Sequence, residues 1–218
     1  GLRVGHGGAG EQEQPQSYSF PHRTVREYLA GCNMVEGRGV AREYWRRAGE
    51  GDFWYLAARY GAEELKYNSR NGEKELLDLA YDLCPTAGPV SEAQWRAVLW
   101  GGQVAALLGP AVIKDDDAKP EGGRVFLARL RPRLVDVMRK SPLPPIERAE
   151  AGNALARLGD PRSEVLDPLR IEWLDVPAGS FLMGNDDKAR AYLGDESPQH
   201  PYNLAYVYKI SRYPITNA

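Results

Sequence analysis

The spacing of hydrophobic residues changes once along this chain, from a helical to an extended pattern. Between residues 73 and 158 apolar side chains recur every three or four positions, which is the spacing of one buried face on an amphipathic helix. After residue 170 the spacing falls to two, as in a strand with one buried face. The longest alternating run predicts a single strand that contains Tyr202, Leu204, Tyr206, Tyr208 and Ile210. The pattern therefore predicts a helical first part and a sheet after residue 168.

Capping and turn residues divide the helical part into separate elements. Helices are predicted at 52–60, 73–84, 91–108, 124–140 and 146–158. The first of these places Phe53 on its inner face. The third begins with a capping box, because Gln94 stands three residues after Ser91. Gly101 and Gly102 are expected to weaken the middle of that helix by about 1 kcal/mol each relative to alanine.

The beginning of the chain predicts a strand, a loop, a second strand and a helix. The strands are expected at Leu2–Val4 and Tyr18–Phe20. The loop contains GHGGAG (5–10), which lacks both the Gly-Lys-Ser/Thr ending and the immediately following helix of a phosphate-binding loop. A flexible wing loop is therefore expected. Thr24 and Glu27 predict a capping box at the start of the helix. The residues predicted on its buried face are Val25, Tyr28, Leu29 and Cys32.

This segment resembles part of a known family of nucleotide switches. The sequence YSFPHRTVREYLA (18–30) is similar to the pattern that ends NACHT-type STAND ATPase modules, where it closes the winged-helix region. The resemblance implies that residues 1–35 are the end of a winged-helix region in a longer protein that binds ATP or ADP with Mg²⁺. It also makes His22 a candidate nucleotide sensor in that protein, with a structural histidine bonded to local backbone as the alternative.

The helices of residues 36–168 indicate an irregular array. PPIERAEAGNALARLGDPR (144–162) resembles the second helix and turn of a HEAT-like repeat. A regular period of about 40 residues does not run through the whole region, however. The expected fold is mainly α, an irregular HEAT-like helical array, with a short winged-helix remnant before it.

The end of the chain carries a second resemblance. VPAGSFLMG (176–184), DESPQHP (195–201) and YPITNA (213–218) occur in the order seen at the start of the formylglycine-generating-enzyme/sulfatase-modifying family. The resemblance implies that residues 169–218 are the N-terminal part of an α+β C-type-lectin-like domain, truncated here. The catalytic cysteines and metal-binding positions of that family are expected beyond Ala218, so we predict no catalytic residue, cofactor or metal site in this chain. Glu196 and His200 are expected to form a structural polar pair.

Composition excludes several classes of partner. The net charge of −2 and the pI of about 6.0 predict binding neither to nucleic acid nor to an anionic membrane surface. No apolar run approaches the about 20 residues that cross a bilayer. Cys32 and Cys84 lack metal-ligand spacing and are expected to be buried thiols in a reducing, cytoplasmic environment. The acidic run Asp115–Asp117 is expected to be solvated rather than to bind a cation.

Together the resemblances predict a non-catalytic sensor portion of a bacterial STAND signalling or defence protein. It would bind a protein or a small ligand through its C-terminal domain, and further strands of the same polypeptide or of another chain would complete that domain. One alternative is the start of an oxidoreductase that converts a cysteine of a target protein to formylglycine. Another is a variable protein diversified by a retroelement, which displays a ligand-binding lectin-like fold.

Overall fold

The computed structural model describes residues 3–4, 18–19, 22–117, 121–186 and 197–213. The fold is mainly helical, with a small region of strands near the C-terminus. Contacts between residues divide the chain into a helical unit, Gly1–Pro161, and a strand unit, Arg162–Ala218. The change of hydrophobic spacing, by comparison, predicts a boundary near residue 168. In the part that the structure describes, no helix has the length and apolar character needed to cross a membrane.

The helical unit begins with two short antiparallel strands, β1 (Arg3–Val4) and β2 (Tyr18–Ser19). The helices that follow are α1 (Arg23–Val35), α2 (Val40–Glu50), α3 (Tyr55–Asn68), α4 (Gly72–Leu83), α5 (Glu92–Leu108), α6 (Pro110–Lys114), α7 (Gly122–Lys140) and α8 (Pro145–Leu158). The predicted order of strand, strand and helix is confirmed, whereas the glycine-rich loop of residues 5–17 lies outside the described residues.

Helix α5 is the centre of the helical unit. It contacts α2, α3, α4, α6, α7 and α8, and Leu99 and Trp100 in its middle are buried. The predicted capping box is confirmed, since the Ser91 side chain accepts from the Gln94 backbone and the Gln94 side chain accepts from the Ser91 backbone. The four helices predicted from residue 73 to residue 158 are also present, with small shifts at their ends.

The two glycines in α5 allow neighbouring helices to approach it closely. A Cβ atom on Gly102 would lie 2.6 Å from a methyl group of Leu134 in α7. A Cβ atom on Gly101 would lie 3.1 Å from the Cβ of Leu83 in α4. Any local weakening of the helix by these residues is therefore accompanied by tighter packing of the core.

The predicted buried face of α1 is wrong. Val25, Tyr28 and Leu29 are each more than 40% exposed, and Cys32 is partly exposed. The helix instead packs on α3 through Gly31, where an added Cβ would lie 2.5 Å from the Ala57 carbonyl oxygen. Helical spacing correctly identified apolar residues that share one face of α1. It did not show that the closest contact with α3 is made by Gly31, which has no side chain.

The predicted starts of two helices are also corrected. Helix α1 begins at Arg23, and Glu27 accepts a hydrogen bond from Arg23 Nε at 2.6 Å instead of completing a capping box. The helix predicted at Asp52 begins as the 3₁₀ turn Asp52–Trp54, and α3 follows it through Asn68. Because a 3₁₀ turn has three residues per turn, helical spacing misplaces Phe53, which is 64% exposed.

Asp116 is not a simple solvated carboxylate. The Tyr81 hydroxyl donates to its Oδ2 atom at 2.9 Å, and its backbone oxygen accepts from the Gly123 amide at 2.8 Å. Asp115 and Asp117 are exposed, as expected. One residue of the acidic run therefore connects α4 with the start of α7.

The strand unit contains two separate antiparallel pairs of strands. Its elements are α9 (Ser163–Leu166), the 3₁₀ turn Pro168–Arg170, β3 (Trp173–Val176), β4 (Gly179–Met183), β5 (His200–Leu204) and β6 (Tyr208–Ser211). Strand β3 pairs with β6 and β4 pairs with β5. The single strand predicted across residues 202–210 is wrong, because residues 205–207 interrupt it and its two halves pair with different partners.

Candidate functional site

A cavity of about 510 Å³ lies in the helical unit. Helices α3, α5 and α8 form its walls, and Tyr44 of α2 also contributes. Ligand pockets in proteins are typically about 300–1,000 Å³. The cavity is therefore large enough for a small organic molecule.

One wall of the cavity is aromatic and apolar. Tyr44 and Trp100 line it and contact each other edge to face, with ring centroids 6.1 Å apart. Ala62 and Val104 lie on the same lining. Trp100 is 1% exposed, and its indole Nε1 has no hydrogen-bond partner among the described residues. A buried N–H without an acceptor carries an energetic cost of about 1–3 kcal/mol, but Trp100 has too little accessible surface for a molecule in the cavity to reach it.

Tyr44 holds the cavity wall in place. Its hydroxyl donates to the Ala58 carbonyl oxygen at 2.6 Å, which connects α2 with α3. Burial raises the pKa of Tyr44 well above its ordinary value. The hydroxyl therefore remains a neutral donor over the physiological pH range.

The remaining lining carries charges of both signs. Arg59 Nε donates to Glu63 Oε1 at 3.1 Å, and this hydrogen bond raises the pKa of Arg59. Asn153 Nδ2 donates to Glu150 Oε1 at 3.3 Å. Burial, together with the neighbouring Glu150 carboxylate, raises the pKa of Tyr55.

Arg157 differs from the other charged residues of the cavity. It lines the cavity from the last turn of α8 and is exposed. Within the described ranges it makes no ion pair. The lining therefore carries one cation and one carboxylate, Arg157 and Glu150, that are not in an ion pair in the part of the chain that the structure describes.

The candidate nucleotide sensor His22 lies away from this lining. It is the exposed residue before α1, and its side chain makes no capping hydrogen bond. The glycine-rich loop 5–10 lies outside the described residues, so its position relative to His22 is not described. The nucleotide-sensing role of His22 therefore stays a prediction.

The structure also describes His200, Cys84 and Cys32. His200 Nδ1 lies 3.0 Å from the Pro198 carbonyl oxygen, while Glu196 lies outside the described residues. Cys84 is buried as expected, whereas Cys32 is only partly buried. In the ranges that the structure covers, no group of three or more His, Cys, Asp or Glu residues is placed to hold a metal ion.

Sequence reasoning missed the cavity. Its lining comes from four helices, and no motif in one segment identifies it. The available signal was the occurrence of small residues such as Ala58, Ala62 and Ala154 on helices that surround a large tryptophan. The position of these small side chains relative to one another depends on how the helices pack.

Comparison with family models, with curated proteins and with solved structures gave no match.

Proposed function

We propose that this chain is a non-catalytic sensor portion of a bacterial STAND (NACHT) signalling or defence protein. It couples a formylglycine-enzyme-like domain, which binds a protein or small ligand, to an upstream nucleotide switch. In this proposal β1, β2 and α1 are the end of a winged-helix region, and α2–α8 form the HEAT-like array. The strand unit is the first part of the C-type-lectin-like domain.

The exposure of the strand unit is the observation that carries this proposal. Every side chain whose burial is described in this unit remains at least partly exposed. Phe181 and Tyr202 face each other across β4 and β5, with ring centroids 5.8 Å apart, yet they are 49% and 46% exposed. Isolated two-stranded sheets are marginally stable in water. We therefore infer that further strands of the same domain cover these residues.

The exposed stripe on α1 supports the same proposal. Val25 and Leu29 lie four residues apart and are exposed, although α1 is packed on α3 through Gly31 and the Tyr28 hydroxyl donates to Glu64 of α3. Exposed apolar surface of this kind is typical of a contact with another domain. In a STAND protein the nucleotide switch precedes this region and is the natural partner of the stripe.

Hydrogen exchange in two polypeptides tests the proposal. One is the 218-residue chain, and the other also includes the flanking coding sequence on both sides. We expect the amides of β3–β6 to exchange much more slowly in the longer polypeptide, and we expect only that polypeptide to bind ATPγS with Mg²⁺.

Two results would contradict the proposal. The first is equal protection of β3–β6 in both polypeptides. The second is a longer polypeptide that binds no nucleotide, or that converts a cysteine of a target peptide to formylglycine in the presence of copper and oxygen. Protection that appears only as protein concentration rises would instead identify a second chain as the partner that completes the sheet.

A further inference from the structure

We propose that the cavity between α3, α5 and α8 is a docking groove for a helix of a partner protein. The partner helix carries one acidic and one basic residue seven positions apart on the same face, with two large apolar residues between them. The groove lies in the helical unit, whereas the proposed function assigns ligand binding to the C-terminal domain. The inference therefore does not depend on either family resemblance.

The cavity has the shape of a groove about two helical turns long. Its lining follows one face of each of three helices, over residues 55–63 of α3, 100–107 of α5 and 150–157 of α8. Each of these spans covers about 11 Å of helix. Because α3 and α8 both pack on α5, they form the two sides of the groove and α5 forms its floor.

The groove is exposed at its edges and apolar inside. Arg59 of α3 and Asn153, Ala156 and Arg157 of α8 line it and are exposed. A polar, accessible rim around an apolar centre is typical of interfaces between proteins. The deeper lining consists of buried side chains that are small or apolar, namely Ala58, Ala62, Val104 and Ala154.

The helical lining favours a helix as the occupant. Backbone N–H and C=O groups inside a helix are bonded to each other, so the groove offers no row of backbone partners to an extended peptide. A docked helix satisfies its own backbone and contributes only side chains. Two large apolar residues, three and four positions after the first charged one, would fill the space that the small lining leaves. The cavity of about 510 Å³ can receive them.

The charges of the lining determine the charged positions of the partner. Glu63 is paired with Arg59 at 3.1 Å. The other two charges of the lining, Glu150 and Arg157, have no ion pair among the residues that the structure describes. They stand seven residues apart on α8. A helix alongside α8 therefore complements both charges with a basic residue near Glu150 and an acidic residue near Arg157, also seven residues apart.

Three synthetic helices test the proposal with the full 218-residue chain. Each has about 18 residues, which is long enough for an alanine-rich peptide to form a helix in water. The mixed peptide contains Glu-x-x-Leu-Leu-x-x-Lys, with alanine and glutamine elsewhere. The acidic peptide has glutamate at both charged positions, and the basic peptide has lysine at both. The measurement is the dissociation constant of each labelled peptide from fluorescence anisotropy.

The chain should bind the mixed peptide about fivefold more tightly than either of the others, because each of these places one charge beside a like charge. Arg157→Glu should change the preference to the basic peptide. Arg124→Glu is the matched control, because it changes the net charge equally at an exposed position of α7 outside the lining. This variant should still prefer the mixed peptide.

Ala156→Phe tests whether the peptide lies in the groove. Ala156 lines the groove and is exposed, so a phenyl ring at this position occupies the groove without entering the core. The variant should bind the mixed peptide about tenfold more weakly. Ala128→Phe is its control, since Ala128 is exposed on α7 and does not line the groove. This control should bind as the unsubstituted chain does.

Four results would overturn the proposal. The mixed peptide could show no saturable binding, or all three peptides could bind equally well. Arg157→Glu could retain the preference for the mixed peptide, which would exclude a contact with this residue. Ala156→Phe could bind as tightly as the unsubstituted chain, which would exclude the groove. Urea unfolding of each variant shows that it is folded, as we expect for substitutions at exposed positions.

Discussion

Arg96 and Glu147 form a two-pronged ion pair in the interior of the helical unit. Arg96 Nε donates to Glu147 Oε1 at 2.7 Å, and Nη2 donates to Oε2 at 2.9 Å. The two side chains are only 3% and 5% exposed. Arg96 also donates to the Ala48 carbonyl oxygen at 2.8 Å and to Glu92 at 2.7 Å. A single guanidinium group therefore connects α5 with α2 and α8.

The pKa of Arg96 reflects two opposing effects. Burial opposes the charge of Arg96, but the hydrogen bonds to Glu147 and Glu92 outweigh it and raise the pKa of Arg96. A buried charge that loses its partner is more destabilising than the loss of both charges together. The energetic effect of the pair therefore has to be measured with both residues changed.

Substitution of either partner is expected to destabilise the helical unit strongly. Arg96→Met or Glu147→Leu alone should lower the free energy of unfolding by about 3 kcal/mol, because each leaves one buried charge without its partner. The double variant should lose clearly less free energy of unfolding than the sum of the losses in the two single variants. Urea unfolding of the four proteins gives the coupling energy.

An exposed pair on α2 is the control for this cycle. Arg46 donates to Glu43 at 2.6 Å, but its side chain is 52% exposed. Arg46→Gln should change stability by less than about 1 kcal/mol. Additive losses at Arg96 and Glu147 would show that the two charges are not coupled.

Gly31→Ala is expected to destabilise the protein although alanine favours helices. At an exposed position inside a helix, replacing glycine by alanine raises the free energy of unfolding by about 1 kcal/mol. At Gly31, however, the new Cβ would lie 2.5 Å from the Ala57 carbonyl oxygen and 2.7 Å from the Gly61 amide nitrogen. These are backbone atoms of α3 and cannot rotate away, so α1 has to move. We expect a loss of about 2 kcal/mol in urea unfolding.

Gly49→Ala is the matched control for this prediction. Gly49 lies in α2, is exposed, and its added Cβ would meet only the Ala93 Cβ at 3.9 Å. This variant should be as stable as the unsubstituted chain or more stable, by up to about 1 kcal/mol. A stabilising Gly31→Ala would mean that α1 and α3 do not approach as closely as described.

Tyr44→Phe is expected to have an effect that depends on pH. At neutral pH the variant should be less stable by about 1 kcal/mol, because the Ala58 carbonyl oxygen loses its donor. Burial raises the folded pKa of Tyr44, so its contribution is complete below the unfolded value of about 10 and is lost as pH rises towards the folded pKa. The difference in stability between the two proteins should therefore shrink as the pH rises above about 10.

Urea unfolding of both proteins at several pH values measures this change. The pKa values of Tyr28, Tyr55 and Tyr81 are also raised, that of Tyr28 to about 12, but these residues occur in both proteins and cancel in the difference. Tyr67→Phe is the control, since Tyr67 is 69% exposed. A difference for Tyr44→Phe that stays constant across this range would contradict a buried, neutral hydroxyl.

Features that depend on neighbours in the chain could be predicted from the sequence. The capping box at Ser91 satisfies backbone groups within one turn, and it was confirmed. The predicted end of α8 at residue 158 was also confirmed, and Gly159 after it has a φ of 94° that other residues rarely adopt. In both cases the physical cause and its effect lie within a few residues.

Features that depend on distant partners could not be predicted in the same way. The alternating residues 202–210 predicted one strand, but Tyr202 pairs with Phe181 and Ile210 pairs with Leu174 in different sheets. The stripe on α1 was predicted to be buried, but the contact with α3 is made where Gly31 lets the backbones approach. Alternation and helical spacing show which residues share a face, and they do not show what that face meets.

Local spacing, caps and turns in the chain are enough to predict a mainly helical protein with strands near its end, because helix and strand formation follow from neighbouring residues. Tertiary packing is needed to know which faces are covered, that Arg96 and Glu147 meet, and where the cavity lies. These properties depend on the packing of helices that are far apart in the chain, and packing is set by the shapes of whole surfaces rather than by any local pattern.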